Sequence, residues 1–218
     1  MQASGATTLR VSEIFFSLQG EASRVGLPTV FVRLTGCPLR CVYCDTEYAF
    51  SGGETQTLDA ILARVRAFPT RHVTVTGGEP LAQRACFDLL TRLCDAGLDA
   101  SLETSGALDI SPVDARVARI VDLKTPASGE VARNLWSNIG HLTPRDEVKF
   151  VLANAEDYAW AVEQIHQHHL TERCPVLFSA VHGQLSPTQL ADWILRDGLP
   201  VRLQVQLHKL LWTEARGR

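Results

Sequence analysis

Short runs of apolar, β-branched residues recur along the chain and alternate with segments whose apolar residues are spaced as on one face of a helix. Runs of this kind, bounded by glycine, proline or polar residues, predict buried strands. We expect strands over residues 10–17, 29–35, 72–76, 99–103, 119–124, 147–152, 176–180 and 201–205.

Helical spacing fills most of the intervals between these strands. Apolar residues recur at that spacing over 57–68, where Thr57 is placed to cap the helix. Asn154 is the expected cap of a helix over 156–166, and Ser186-Pro187-Thr188-Gln189 predicts a capping box with proline at the first helical position. Further helices are expected from about 80 to 96, ending at Gly97, over a short stretch at 112–117, and from 187 to about 198.

Strands that alternate with helices predict an α/β fold with a parallel sheet, and such sheets carry their chemistry at the carboxyl ends of the strands. The polar clusters of the chain follow this rule: three cysteines, a Gly-Gly-Glu-Pro run, Thr104-Ser105 and Lys124 all come at predicted strand ends. Connections such as 106–116 are too short for full helices. We therefore expect an incomplete, pared-down TIM-like (β/α) barrel that forms one domain over residues 1–218.

Composition and charge exclude several classes of protein. Hydrophobic residues make up 45% and charged residues 21% of the 218 residues, and the formal net charge of −3 gives no electrostatic case for nucleic-acid binding. The N-terminus has no signal-peptide pattern, and no apolar stretch approaches 18 residues, so no membrane span is expected. The six cysteines are not spaced as a disulfide framework, which favours the reducing cytoplasm.

Three cysteines follow the second predicted strand, at Cys37, Cys41 and Cys44. Such a loop is suited to a metal, yet closed zinc sites and ferredoxin patterns need four protein ligands. Three cysteines on a cubane of four irons leave one iron open to a substrate or cofactor. The C-x3-C-x2-C spacing resembles the signature of the radical S-adenosylmethionine (SAM) superfamily, in which three cysteines hold a [4Fe–4S] cluster and SAM chelates the fourth iron. The alternatives are a zinc knuckle completed by a distant histidine or aspartate, or three thiols that have no common role.

Three other features each have two interpretations. The run Gly77-Gly78-Glu79-Pro80 is either an ordinary turn or, beside the cysteine motif, similar to the superfamily segment that holds the amino group of SAM, with Glu79 supplying a carboxylate. Asp45-Thr46 offers hard oxygen donors for Mg²⁺, but the residues alone favour a turn in which Asp45 caps the loop backbone. Arg33 stands in an apolar strand, either to clamp a carboxylate or to form a structural ion pair.

Nearly the whole chain resembles the family of 7-carboxy-7-deazaguanine synthases, the radical SAM enzymes of queuosine and other 7-deazapurine biosynthesis. The resemblance is carried by EIFFSLQGEASRVGLPTVFVRLTGCPLRCVYCDTEYAF, VTGGEP, LETSGAL, VDLKTPASGE, DEVKFV and LQVQLHKLLW. It implies Mg²⁺-dependent conversion of 6-carboxy-5,6,7,8-tetrahydropterin to 7-carboxy-7-deazaguanine with loss of ammonia. In that reaction a 5′-deoxyadenosyl radical from SAM abstracts hydrogen from C6 of the pterin, a ring contraction follows, and SAM is regenerated.

The resemblance also implies roles for the residues at matching positions. The cluster would be held by Cys37, Cys41 and Cys44, and Mg²⁺ by Thr46. SAM would contact Tyr43, Cys44, Asp45, Gly78, Glu79, Ser105 and Lys124. The pterin would contact Leu18, Gln19, Gly20, Arg33 and Thr76, with Arg33 on its carboxylate. An external electron donor similar to flavodoxin or ferredoxin and a homodimer are implied as well.

Two departures from the family pattern bear on these roles. Some members have Ser-Pro-Lys where this chain has Asp122-Leu123-Lys124. Some members end shortly after a His-Lys pair, at a proline whose terminal carboxylate reaches the active site. Here the chain continues from Leu210 to Arg218, so no C-terminal contact is carried over.

Two other functions remain open from the sequence. A glycyl-radical activating enzyme is also a small radical SAM protein, but it docks a partner protein instead of binding a small anionic substrate with Mg²⁺. A non-enzymatic zinc or iron–sulfur protein would explain the cysteines and leave the Gly-Gly-Glu-Pro run without a role. Activity without a protein substrate separates the first alternative, and indifference to SAM identifies the second.

Overall fold

A single nine-stranded sheet organises the chain in the computed structural model, which describes residues 6–212 and residue 217. Its strands are β1 (Thr8–Leu18), β2 (Pro28–Leu34), β3 (Glu54–Thr57), β4 (His72–Gly77), β5 (Asp99–Thr104), β6 (Ala118–Asp122), β7 (Glu147–Leu152), β8 (Val176–Ala180) and β9 (Arg202–Gln204). Their order in the sheet is β3-β1-β2-β4-β5-β6-β7-β8-β9. The sheet is therefore open, with β3 and β9 at its edges.

Seven of the strands, β2 and β4 to β9, run parallel, and β1 and β3 are joined to them in antiparallel pairs. The α/β prediction with a mainly parallel, unclosed sheet is confirmed. Parallel strands bring their carboxyl ends to one edge of the sheet, so the loops that follow β2, β4, β5, β6 and β7 share that edge.

Helices pack against the sheet between the parallel strands. They are α1 (Leu58–Arg66), α2 (Ala85–Asp95), α3 (Ala155–His168), α4 (Leu170–Arg173), α5 (Pro187–Asp197) and α6 (Leu207–Trp212). The predicted caps are present at Thr57, whose side chain accepts from the Ala60 N–H, and at Asn154, whose side chain accepts from the Asp157 N–H. Ser186 is at the N-cap of α5, but its side chain makes no capping hydrogen bond, so the predicted capping box is wrong in that contact.

The core lies between the sheet and the inward faces of these helices. Ile61 of α1 and Leu89 of α2 are fully buried, as the helical spacing predicts. Phe150 of β7 and Phe178 of β8 are also fully buried, with ring centroids 5.7 Å apart in a T-shaped pair. Each buried aromatic side chain of this size removes enough apolar surface from water to contribute about 1.5–3 kcal/mol.

The local predictions differ from the structure at other points besides the capping contact of Ser186. The polar strand β3 was not predicted, because its residues lack the apolar alternation that marks a half-buried strand. Residues 112–117 form turns instead of a helix, with Arg116 bonded through its backbone and side chain to Asp114. A 3-10 turn at Pro80–Ala82 precedes α2, and His169, in the left-handed conformation at φ 51°, separates α3 from α4.

Two sequence expectations reach beyond the described residues. Residues 1–5 belong to the segment considered for a signal peptide, and residues 213–216 and 218 belong to the extension after Trp212. Within the described ranges, no helix combines the length and the apolar character needed to cross a membrane.

Candidate active site

A cavity of about 500 Å³ opens at the carboxyl ends of the parallel strands. This volume lies within the range typical of small-molecule sites. Of the residues proposed from the sequence, all except Glu79 line it, namely Leu18, Gln19, Gly20, Arg33, Cys37, Cys41, Tyr43, Cys44, Asp45, Thr46, Thr76, Gly78, Ser105 and Lys124. Seven strands and the segment after β9 therefore bring residues separated by up to 194 positions to one cavity, from Phe15 to Lys209.

The three cysteines after β2 are unpaired thiols, half-buried in the cavity wall. Burial raises the pKa of Cys37 and of Cys41, and the ammonium of Lys124 opposes that increase in both. A nearby cation favours the thiolate form that binds metal. Within the described residues, no three His, Cys, Asp or Glu side chains converge on a single-ion position. The fit to a larger iron–sulfur cluster therefore rests on three free thiols facing one cavity beside a cation.

The glycine turn after β4 lies against the start of the cysteine loop. A Cβ atom on Gly77, at φ 145°, would lie 2.2 Å from the Leu34 carbonyl oxygen. A Cβ atom on Gly78 would lie 2.3 Å from the Gly36 carbonyl oxygen and 2.8 Å from Cβ of Cys37. Only glycine permits this approach, which leaves backbone groups of the turn facing the cavity.

Glu79 differs from its sequence interpretation as a carboxylate that faces a ligand amine. Its side chain is completely buried and accepts hydrogen bonds from the Leu81 N–H, the Thr104 hydroxyl, and both the N–H and the hydroxyl of Ser105. A buried carboxylate needs such donors, and here the protein supplies them. A direct contact of Glu79 with SAM would require their exchange and stays a prediction; in the structure Glu79 orients Ser105, which does line the cavity.

Arg33 forms an ion pair and also faces the cavity. Its Nε atom lies 2.8 Å from Oε1 of Glu13, and its guanidinium lies 5.8 Å from the ring centroids of Phe15 and Tyr48. The side chain is 14% exposed. The structural ion pair and the proposed carboxylate clamp are therefore compatible. Glu13 accepts from Nε of Arg33, and Arg33 also lines the cavity wall. Binding of a carboxylate by the remaining N–H groups stays a prediction.

A polar network follows β1 into the cavity. The side-chain amide of Gln19 donates to Thr74 and to Glu103, each over 3.2 Å, and the Thr76 hydroxyl donates to the other oxygen of Glu103 over 2.9 Å. Burial raises the pKa of Glu103, although the charge of Lys149 opposes this. The predicted pterin residues Gln19 and Thr76 thus share one half-buried acidic partner, Glu103.

The residues after Cys44 contact the C-terminal part of the chain. One carboxylate oxygen of Asp45 lies 3.4 Å from Nζ of Lys209 and accepts from the side chain of Gln206 over 3.3 Å. The interpretation of Asp45 as a cap of its own loop is therefore wrong, because distant donors take its carboxylate. The Thr46 hydroxyl lies 3.8 Å from Sγ of Cys44 and lines the cavity, and its role as a Mg²⁺ ligand stays a prediction.

Tyr43 and Lys124 also line the cavity. The Tyr43 hydroxyl donates to the Val151 carbonyl oxygen over 3.1 Å, and burial raises the pKa of Tyr43 to about 12. Nζ of Lys124 lies 3.1 Å from Asp122, and its backbone N–H donates to the side chain of Asn134 over 2.8 Å. Hydrogen bonds hold Tyr43 in place, and a hydrogen bond and an ion pair hold Lys124.

Several residues that line the cavity were not predicted from the sequence: Glu21, Glu103, Asp122, Lys149, Gln206 and His208. One signal could have found Lys149, because a lysine in the apolar strand β7 is as costly to bury unpaired as Arg33 in β2. The ring of His208 packs against Gly20, where a Cβ atom would lie 2.6 Å from its Nδ1. That contact joins residues 188 positions apart, and no local pattern indicates it.

Comparisons with known proteins agree with this geometry. The family model of the Radical SAM superfamily matches residues 31–182. The chain is 48% identical over 213 residues to a 7-carboxy-7-deazaguanine synthase of Chlorobaculum tepidum, covering 96% of this chain and 97% of that protein. It is 43% identical over 225 residues to the 7-carboxy-7-deazaguanine synthase of Koribacter versatilis, covering 96% of this chain and 100% of that protein.

Solved structures show the same fold. The crystal structure of QueE from Escherichia coli matches with a TM-score of 0.77 at 21% identity, covering 95% of this chain and 100% of that chain. Streptococcus suis SuiB bound to S-adenosylmethionine matches with a TM-score of 0.55 at 11% identity, covering 78% of this chain and 45% of that chain. At these identities the structural matches support the fold alone.

Proposed function

Because the chain belongs to the 7-carboxy-7-deazaguanine synthases of the radical SAM superfamily, we propose that it converts 6-carboxy-5,6,7,8-tetrahydropterin to 7-carboxy-7-deazaguanine with loss of ammonia. The reaction is a step of queuosine and 7-deazapurine biosynthesis. One observation carries the proposal: the three free cysteines, the glycine turn and Arg33 line the same cavity. That cavity is large enough for a nucleoside-sized cofactor beside a bicyclic substrate.

The cysteine side of the cavity would hold the [4Fe–4S] cluster and SAM. Cys37, Cys41 and Cys44 are the cluster ligands, and together the bound groups supply the one-electron chemistry that removes a hydrogen atom from the substrate. The protein orients SAM through the backbone at Gly78, the hydroxyl of Ser105 and the ammonium of Lys124. Tyr43, Asp45 and Glu79 complete this set, with Glu79 acting through its hydrogen bonds to Ser105.

The Arg33 side of the cavity would hold the pterin. The guanidinium of Arg33 binds the substrate carboxylate through the N–H groups that Glu13 does not use. Leu18, Gln19, Gly20 and Thr76 contact the ring system, and Thr46 ligates a Mg²⁺ ion that keeps most of its waters. Fixing both molecules in one cavity lowers the entropic part of the barrier to reaction.

Apolar side chains line part of the cavity beside its charged groups. Phe15 and Phe31 stack with centroids 4.9 Å apart in the cavity wall, and Leu39, Phe50 and Val151 line it as well. A dry site protects a reactive carbon radical from side reactions. We also propose that the chain acts in the cytoplasm as a homodimer and takes electrons from a flavodoxin-like or ferredoxin-like donor.

An anaerobic assay tests the proposed function. The protein is reconstituted with iron and sulfide, reduced with dithionite, and given SAM, Mg²⁺ and 6-carboxytetrahydropterin. We expect 7-carboxy-7-deazaguanine with the parent protein, none with Cys41→Ala or Arg33→Ala, and an undiminished yield with Cys94→Ala, which changes a half-buried thiol outside the cavity. Cleavage of SAM without conversion of the pterin would contradict the substrate, and failure to bind a cluster would contradict the whole proposal.

A further inference from the structure

Lys149 is the centre of a chain of ion pairs that lines the cavity. Its Nζ atom lies 2.7 Å from Oε2 of Glu21 and 3.5 Å from Oδ2 of Asp122. The same Asp122 oxygen lies 3.1 Å from Nζ of Lys124. The four side chains alternate in charge and are each between 12% and 17% exposed, so the pairs are weakly screened by solvent.

This chain of charges connects the two halves of the cavity. At one end, Lys124 lines the cavity together with Cys37 and Cys41. At the other end, Glu21 follows Gly20 directly, in the segment proposed to contact the pterin. Lys149 therefore stands between the cofactor half and the substrate half of one site.

Glu21 is oriented by groups from two distant parts of the chain, β7 and the region at the end of β9. Oε2 contacts Lys149 and accepts from Gln204 over 3.3 Å, and Oε1 accepts from Gln206 over 2.7 Å. Burial acts to raise the pKa of Glu21, but the charge of Lys149 and the hydrogen bonds from Lys149 and Gln206 together lower it overall. An ionised carboxylate can only accept hydrogen bonds, and each of its oxygens has more than one lone pair to offer.

Asp122 shows that the chain of charges is incomplete without a ligand. Its Oδ2 atom contacts both lysines, while its buried Oδ1 atom has no hydrogen-bond partner among the described residues. A buried acceptor without a partner is costly, so a donor on a bound molecule would be favoured there. The aspartate is also where this chain departs from the Ser-Pro-Lys of some family members.

We propose that Lys149 is a positioning residue, which fixes the Glu21 carboxylate as the acceptor for N–H groups of the bound heterocycle and ties it through Asp122 to the cofactor half of the site. The inference deepens the proposed function and rests on it for the class of ligand, a carboxylated pterin. Lys149 acts through Glu21, so the positive charge and the short contact are both required.

A merely structural lysine would behave differently. If Lys149 only neutralised buried carboxylates, its removal would lower the free energy of unfolding and weaken the binding of 6-carboxypterin and of SAM by similar factors. If it acts through Glu21, its removal weakens the pterin selectively, and the effect disappears once Glu21 can no longer serve as an ionised acceptor. Such coupling is what a double-mutant cycle measures.

The experiment measures the dissociation constants of 6-carboxypterin and of SAM by anaerobic calorimetry on the reconstituted protein. The variants are Lys149→Met, Lys149→Arg, Glu21→Gln and the double variant of Lys149→Met with Glu21→Gln. Arg92→Met is the matched control, since it removes a cation from the exposed Asp59 pair outside the cavity. Thermal unfolding of each variant is recorded in parallel.

We expect Lys149→Met to raise the dissociation constant of 6-carboxypterin about tenfold or more, and that of SAM by less than about twofold. Lys149→Arg keeps the charge and should retain most of the affinity for 6-carboxypterin. Added to Glu21→Gln, Lys149→Met should cost less than about twofold further. If Lys149→Met alone does not fold, the Glu21→Gln background decides the question: Glu21→Gln should itself weaken the binding of 6-carboxypterin about tenfold or more, and unchanged affinity in Glu21→Gln would overturn the inference. Arg92→Met should match the parent protein.

Three results would overturn the inference. Unchanged pterin affinity in Lys149→Met would show that the lysine does not position the site. Equal loss of pterin and SAM, together with a lower unfolding temperature, would show a structural role, and additive effects of the two substitutions would show that it does not act through Glu21. If the parent protein itself fails to bind 6-carboxypterin, the proposed substrate is wrong and this inference falls with it.

Discussion

Gly78 and Gly36 are in backbone contact: a Cβ atom on Gly78 would lie 2.3 Å from the carbonyl oxygen of Gly36. The contact joins the turn after β4 to the loop that begins with Cys37, and the Glu79 N–H donates to the same Gly36 carbonyl over 2.8 Å. The turn proposed to bind SAM therefore contacts and hydrogen-bonds the backbone at the start of the cysteine loop. Two motifs separated in sequence are one structural unit.

Gly78→Ala should therefore disturb the cysteine loop. We expect a loss of about 1–3 kcal/mol in the free energy of unfolding, because the added methyl group must displace backbone, and a lower iron content after reconstitution. Urea unfolding and iron analysis measure the two effects. Gly140→Ala is the matched control, since no atom lies within 4 Å of its Cβ position and its φ is unstrained. Equal iron content in both variants would contradict the prediction.

Glu79→Gln should be strongly destabilising although it removes only a charge. The NH₂ group of the glutamine would face hydrogen-bond donors of the protein and could not accept from them. Both Glu79 oxygens accept from Thr104, and one also accepts from the N–H of Ser105 over 2.6 Å. We expect a loss of about 2–4 kcal/mol in urea unfolding of the protein without ligands. Glu163→Gln, at an exposed position on α3, should change stability by less than about 0.5 kcal/mol. A Glu79→Gln protein as stable as this control would refute the buried network.

Arg33→Lys should separate the ligand role of Arg33 from its ion pair. Lysine keeps the charge near Glu13 but lacks the planar N–H groups that bind a carboxylate in pairs. We expect the KM for 6-carboxytetrahydropterin to rise about tenfold or more, with a smaller change in kcat. Arg64→Lys, an exposed residue bonded to Gln56, serves as control. An unchanged KM would mean that Arg33 has only its structural partner.

The buried pair of Arg119 and Asp146 should make stability depend on pH. Burial acts to raise the pKa of Asp146, but hydrogen bonds from Arg119, at 2.6 and 2.9 Å, and from Thr143 lower it below its usual value. A depressed folded-state pKa contributes stability that is present above the unfolded value of about 3.9 and is lost as the pH falls through the folded-state pKa.

Asp146→Asn is accordingly expected to cost about 3 kcal/mol at pH 7 and less at pH 3, which lies below the unfolded-state pKa of about 3.9, because the parent protein loses stability there as its unfolded state takes up a proton. Urea unfolding at the two pH values measures the difference. Asp59→Asn, in an ion pair whose aspartate is 86% exposed, should change stability by less than about 1 kcal/mol at either pH. A penalty for Asp146→Asn that is the same at both pH values would contradict the assigned cause.

Local patterns were sufficient for much of the fold. The strands from β4 to β8 were found within one or two residues of their bounds, because apolar runs and turn residues act over short distances. Thr57 and Asn154 were identified as caps for the same reason. The failure at β3 arises because its polar residues pair with a distant strand, as Thr57 does with Thr8. At residues 112–117 the failure is local, because Asp114 accepts from the backbone and the side chain of Arg116 and so favours a turn over a helix.

The sequence by itself determined which chemistry is present: the spacing of Cys37, Cys41 and Cys44, the two glycines after β4, and an arginine in an apolar strand. Only the tertiary structure decided how those groups are partnered. In the folded protein Glu79 accepts a hydrogen bond from Ser105, and Lys149 forms an ion pair with Glu21, 128 positions away. The physical reason is that short-range periodicity fixes single elements, whereas the partners of a buried charge are chosen by the order and register of the strands.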